Sequence, residues 1–135
     1  MGSYLVLNGN ENNSKSISGM MINIIRGIDS KNIKNKWFKP DYYKDNMGCG
    51  DWVIHRKALA LLCRNTKELL DNEEWIEEYT YENHEWHEFN GNKEEYYKHW
   101  LVDTKDDLKI VYNIFVSVLV NSVLYNEKFI YAHWE

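Results

Sequence analysis

Tyr79-Thr80-Tyr81-Glu82-Asn83-His84-Glu85-Trp86-His87-Glu88-Phe89-Asn90-Gly91-Asn92-Lys93-Glu94-Glu95-Tyr96-Tyr97 is the stretch on which the fold turns. Asn-Gly between two aromatic-rich runs is a strong short hairpin signal, because a type I′ turn needs positive φ at both central residues. A two-residue loop at Asn90-Gly91 would set Phe89 opposite Asn92, Glu88 opposite Lys93 and His87 opposite Glu94. Further out, Glu82 would face His99 and Tyr81 would face Trp100. That register joins opposite charges and stacks rings, the pairings that stabilise antiparallel strands. The spacing therefore predicts a β-hairpin over 78–102.

The flanking sequence supplies the helices. Ile17, Met20, Met21, Ile24, Ile25 and Ile28 recur at i, i+3, i+4, i+7 and predict an amphipathic helix, with Ser14, Ser16 or Ser18 as its cap and Gly27 near its end. Ala58, Leu59, Leu62, Cys63, Thr66, Leu69 and Leu70 keep the same period, from a cap at Asp51 to a stop near Asp71-Asn72. Thr104, with Asp107 three residues on, resembles a capping box opening a third helix. Leu108, Val111, Tyr112, Phe115, Leu119, Ser122 and Val123 give it an apolar face, and Asn113, Ser117 and Asn121 a narrow polar stripe. It reads as a helix buried on most sides at the centre of the fold.

Tyr4 to Leu7, stopped by Asn8-Gly9, and Phe129 to Trp134, after a turn at Asn126, read as strands. The expected fold is α+β: about three helices packed on a small, mainly antiparallel sheet that includes the 78–102 hairpin. At 135 residues, with 44% hydrophobic and 27% charged residues, the chain is expected to be a single domain, 1–135, with a conventional core.

Composition narrows the function classes. Cys49 and Cys63 stand too far apart for a metal spacing or a disulfide framework, so free thiols in the cytoplasm are expected. The first residues lack the basic start of a signal peptide, and the apolar run Ile110 to Tyr125 is short for a bilayer and broken by Asn113, Ser117 and Asn121. No membrane contact is expected. Sixteen Asn beside many Lys and Ile suggest an AT-rich bacterial or phage genome.

Charge is the most informative property. Residues 1–67 carry eleven Lys/Arg against five Asp/Glu, a net of +6, whereas residues 68–135 carry five against sixteen, a net of −11. Asymmetry of this kind speaks of partners and steering and leaves the fold undetermined. Lys31, Lys34, Lys36, Lys39 and Lys44 alternate with Trp37, Phe38, Tyr42 and Tyr43, a pattern that suits single-stranded nucleic acid, but the net charge of −5 disfavours a nucleic-acid partner. Pairing of these lysines with the chain's own acidic half is the other use open to them. Gly48-Cys49-Gly50 matches a tight turn better than a nucleophile's loop.

His84-Glu85-Trp86-His87-Glu88 is not HExxH, because its histidines stand three apart. A metal-assisted hydrolase using His84, His87 and His99 is the alternative from the enzyme class, though the spacing fits no standard zinc frame. No phosphate loop or nucleophile elbow occurs, and neither metal nor cofactor is expected. The reading that fits best is recognition. Glu77, Glu78, Glu82, Glu85 and Glu88 supply negative charge, and Tyr81 and Trp86 supply aromatic anchors, for a basic protein partner. A compact acidic protein can plug the basic groove of a nucleic-acid enzyme. That predicts a non-enzymatic inhibitor, most concretely an immunity protein neutralising a nuclease-type toxin, with a phage anti-defence inhibitor as the alternative.

Overall fold

The computed structural model describes residues 4–8, 14–30, 38–40 and 52–134. In chain order these form β1 (Leu5–Leu7), α1 (Lys15–Ser30), β2 (Phe38–Pro40), β3 (Trp52–His55), α2 (Arg56–Leu70), α3 (Glu73–Asn83), a 3-10 turn (Glu88–Asn90), α4 (Lys93–Leu124) and β4 (Phe129–Trp134). The fold is α+β, with four α-helices where three were expected. The four strands lie in the order β1-β4-β3-β2 and every neighbouring pair is antiparallel. Asp51 and the Gly48-Cys49-Gly50 turn lie outside the described residues, as does most of the basic segment 31–44.

Local chemistry explains where the elements begin and end. Asn8 leaves β1 with φ of 50°, and its side-chain oxygen accepts from the Tyr131 N–H at 2.7 Å, so one residue both ends β1 and clamps β4. The fully buried Ser18 hydroxyl accepts from the Leu5 N–H at 2.9 Å. α1 thereby covers a donor on the edge strand that another chain could otherwise pair with. Ser14 caps α1, its hydroxyl accepting from the Ile17 N–H at 3.3 Å, while Gly27 lies inside that helix and does not end it. α2 follows β3 without a loop and is capped by His55, whose Nδ1 accepts from the Lys57 N–H at 3.0 Å.

The predicted 78–102 β-hairpin is a helical hairpin. Asn72 and Asn92 each accept from the N–H three residues on, at 3.1 Å, and so open α3 and α4 as N-caps. Glu73-Glu74 and Glu94-Glu95 then occupy the first turns, where the helix dipole favours negative charge. Gly91 does take positive φ, 86°, but Asn90 does not, so the I′ turn is absent. The chain reverses at the predicted place, with a 3-10 turn where the I′ turn was expected. Thr104, expected to open a helix, stands inside α4 with 3% exposure, and its hydroxyl lies 2.9 Å from the Trp100 carbonyl.

α4 is central: it packs against α1, α2 and α3, and its inward residues Leu108, Val111 and Phe115 are fully buried. Met20, Met21 and Ile25 of α1, Leu59 and Leu62 of α2, and Ile54, Ile130 and Ala132 of the sheet complete the core. The expected burial on most sides does not hold. Ile110, Val120, Val123 and Leu124 are 45–72% exposed, so α4 keeps an open apolar flank. Its 32 residues also make it long and apolar enough to cross a membrane by length and composition alone.

Thr80 and Thr104 face each other where α3 crosses α4, their hydroxyls 2.8 Å apart. Thr80 donates to Thr104, which donates in turn to the Trp100 carbonyl; the Ile76 carbonyl, 2.7 Å from Thr80, is a second acceptor within reach. Thr80→Val should destabilise the fold by about 1 kcal/mol, because the buried hydrogen bond to Thr104 is lost, although Thr104 keeps its bond to the Trp100 carbonyl. Adding Thr104→Val should cost less than the two single changes summed, since the bond they share is lost only once. Urea denaturation of the three variants measures this, and strict additivity would mean that the hydroxyls do not interact.

Candidate functional site

α3 carries five glutamates and no lysine or arginine in eleven residues. Ile76 and Thr80 turn inward, which forces Glu74, Glu77, Glu78, Tyr81 and Glu82 outward, where all are exposed. Glu73 and Glu77, Glu74 and Glu78, and Glu78 and Glu82 are like-charged neighbours one turn apart, each pair costing the helix roughly a few tenths of a kcal/mol. Glu73 receives Lys105 of α4 at 2.9 Å. Glu77, Glu78, Glu82 and Glu88 take no ion-pair partner among the described residues.

The loop from α3 to α4 is stapled onto the start of α4. Tyr96 donates its hydroxyl to the Glu85 carbonyl at 3.0 Å, and Tyr97 accepts from the Trp86 N–H at 3.3 Å. The Trp86 indole donates to the Gly91 carbonyl at 3.0 Å and lies 5.8 Å beneath the Lys93 ammonium. Trp86 therefore braces the loop as well as contributing half-buried surface, while Phe89, 84% exposed, is the most open ring among the described residues. Tyr81 sits edge-on to Tyr97 at 4.7 Å and borders an apolar groove of about 480 Å³ with Leu101 and Val102. All seven predicted binding residues, Glu77, Glu78, Tyr81, Glu82, Glu85, Trp86 and Glu88, thus belong to this one helical hairpin. The strand pairing that was to hold them is absent.

Behind the hairpin lies a cleft of about 390 Å³ that the sequence did not disclose. It is lined by Lys15 and Ser16 of α1, Tyr79 and Asn83 of α3, His84, and Trp100, Asp103 and Asp107 of α4. His84 stacks on Trp100 with ring centroids 3.8 Å apart, and His99 reaches Asp103 at 3.7 Å. Burial raises the Asp107 carboxyl above its ordinary range; neighbouring Asp103 adds to this, while a hydrogen bond to Ser16 opposes it. Burial, then Asp107, pushes the Tyr79 phenol up to about 12. Burial lowers His84, with Asp103 opposing and His99 reinforcing. Two carboxylates beside aromatic faces make the cleft a suitable receptor for an ammonium or guanidinium group.

The His84 shift has a definite sign. An imidazole whose folded pKa lies below its unfolded 6.5 is protonated more readily in the unfolded chain. Stability is therefore full above that value and falls as pH drops through 6.5 towards the folded pKa. Melting temperature followed from neutral pH downwards should decline partly through this group, and His84→Phe, which preserves a stacked ring, should flatten the decline. An NMR midpoint for His84 above 6.5 would contradict the assignment.

Among the described residues, no three His, Cys, Asp or Glu side chains converge as metal ligands, so His84, His87 and His99 do not form the centre that the alternative hydrolase reading needs. His87 is turned towards Glu85, at 3.8 Å, and stacks on Phe89. Cys63, on the buried face of α2, has its thiol raised to about 11 by desolvation, which suits a core residue and not a nucleophile. No family model, curated protein or solved structure matches the chain.

Proposed function

We propose that this protein is a non-enzymatic inhibitor that binds a basic protein partner, most concretely an immunity protein that neutralises a nuclease-type toxin in the cytoplasm. The observation that carries the reading is α3: five outward or terminal glutamates without one base, set at mutually repelling spacing, several without an ion-pair partner among the described residues. Local choices that disfavour the fold are expected where function requires them. The exposed Phe89 and Tyr81 add apolar anchors beside that charge. Complementary charge accelerates encounter and rejects acidic competitors. The cleft with Asp103 and Asp107 would receive a lysine or arginine side chain of the partner. No metal, cofactor or membrane enters this reading.

The test uses a basic nuclease-type polypeptide, sought first among those encoded beside this gene. Purified chain mixed with that polypeptide at equal concentration should abolish its cleavage of plasmid DNA, and co-expression should restore survival of cells producing it. Unimpaired cleavage together with undiminished toxicity would refute the immunity reading. Inhibition of a host defence nuclease in its place would support the phage alternative.

A further inference from the structure

The side of α4 that faces away from the core carries a second pattern, separate from the acidic hairpin. Ile110, Asn113, Ser117, Val120, Asn121 and Leu124 recur at helical spacing and form one outward stripe, flanked by Ile114, which is half-buried and also packs on the core. Ile110 is 45%, Val120 49% and Leu124 72% exposed, and Tyr125 just beyond is 74% exposed. The stripe is symmetric about Ser117. Three residues to either side stand Ile114 and Val120, four to either side Asn113 and Asn121, seven to either side Ile110 and Leu124.

We propose that this stripe is the contact surface between two copies of the chain, which pair with their α4 helices antiparallel about a twofold axis at Ser117. In an isologous contact, residue i of one copy meets j of the other and j meets i, so a surface must complement itself. Here that pairing sets Asn113 against Asn121, whose amides can exchange hydrogen bonds, and Ile110 against Leu124. The small Ser117 lets the helices approach at the axis.

Charge fixes the same register. Asp106, on the stripe one turn before Ile110, comes towards the segment that follows the other copy's α4 and turns at Asn126, where Lys128 is exposed. Sliding the helices by one turn would set Asp106 against Leu124 or Asn113 against Tyr125, so the polar groups select one alignment. Buried polar residues at single positions have this register-setting effect in coiled coils. The apolar side chains along the stripe and its end expose on the order of several hundred Å², comparable with the roughly 800 Å² per partner in a standard interface. A bilayer is the poorer occupant, because two amides and a hydroxyl run through the middle of the stripe and hydrocarbon leaves them unpaired.

Sedimentation equilibrium of the full chain should give a dimer that Val120→Lys combined with Leu124→Lys converts to a monomer of unchanged circular dichroism. Asp106→Lys alone should weaken association, and adding Lys128→Asp should restore it. Independently, Ser117→Cys should cross-link two copies under oxidation, whereas Asn113→Cys, which meets Asn121 and not itself, should not. A chain monomeric at all concentrations would overturn the proposal. So would a dimer indifferent to the Val120 and Leu124 changes, or a wild-type chain that stays monomeric and floats with phosphatidylcholine vesicles.

Discussion

Phe115→Ala is expected to cost the fold about 3–5 kcal/mol, a large share of the roughly 5–15 kcal/mol that a domain typically has. Phe115 is fully buried in the C-terminal half of α4, the helix that touches the other three. Removing its ring leaves a cavity at the junction of several elements. Collapse into that space is limited, because the core residues of α1 and α2, Met21, Leu59 and Leu62 among them, are held by the helices they sit on. The expected result in guanidinium denaturation is a midpoint shifted far towards water with the slope nearly unchanged. Phe115→Leu should recover most of the loss. A cost below about 1 kcal/mol for the alanine variant would mean that α4 is not the centre of the core.

Reversing Glu77, Glu78 and Glu82 to lysine together should slow association with a basic partner by about 10- to 10³-fold, the range over which electrostatic steering acts. α3 would change from five acidic residues to two, with three bases. Because these side chains are exposed, the helix should remain folded; a lysine in place of Glu78 would even gain Glu74, one turn away, as an opposite-charge neighbour. Salt discriminates the cause. The wild-type association rate should fall as ionic strength rises, whereas the reversed protein's should be insensitive or rise. Dissociation should change less than association if the charges act at the rim, with Phe89 and Tyr81 holding the complex. Stopped-flow measurement with the proposed basic partner would read both rates. Unaltered association in the triple variant would remove α3 from the interface.

The terminal strands, α1 and α2 were legible because their apolar spacing had one interpretation. Ile17 to Ile28 fits only a helix, and Asn8 and Asn126 do adopt the left-handed conformation that ends a segment. The region 78–102 was not legible by the same means. Tyr79, Thr80, Tyr81 and Trp86 carry high strand propensity, but that propensity reflects packing on a pleated surface and not the backbone itself. Tyr97 and Leu101 continue the helical period of Thr104 and Leu108 upstream of the predicted start at Thr104, and Asn92 supplies the cap. Together those four extend α4 back towards Lys93. The candidate glutamates were chosen by charge, a property that does not depend on whether the segment is strand or helix. The cleft was out of reach because it joins Ser16 to Asp107 and His84 to Trp100, associations made only by tertiary packing.

The position of β4 bears on how the chain acquires this structure. β4 lies between β1 and β3, and Leu7 pairs with Ala132, so the earliest strand waits for one made late in the chain. During synthesis the helices can collapse first, but the sheet cannot close until residues 129–134 have left the ribosome. Until then β1 and the β2–β3 pair are open edges, the state in which chains join one another instead of themselves. Contacts of such long range also slow refolding. Any folded segment joined close behind Trp134 would therefore load an interior strand of the sheet, and flexible spacing there would relieve it.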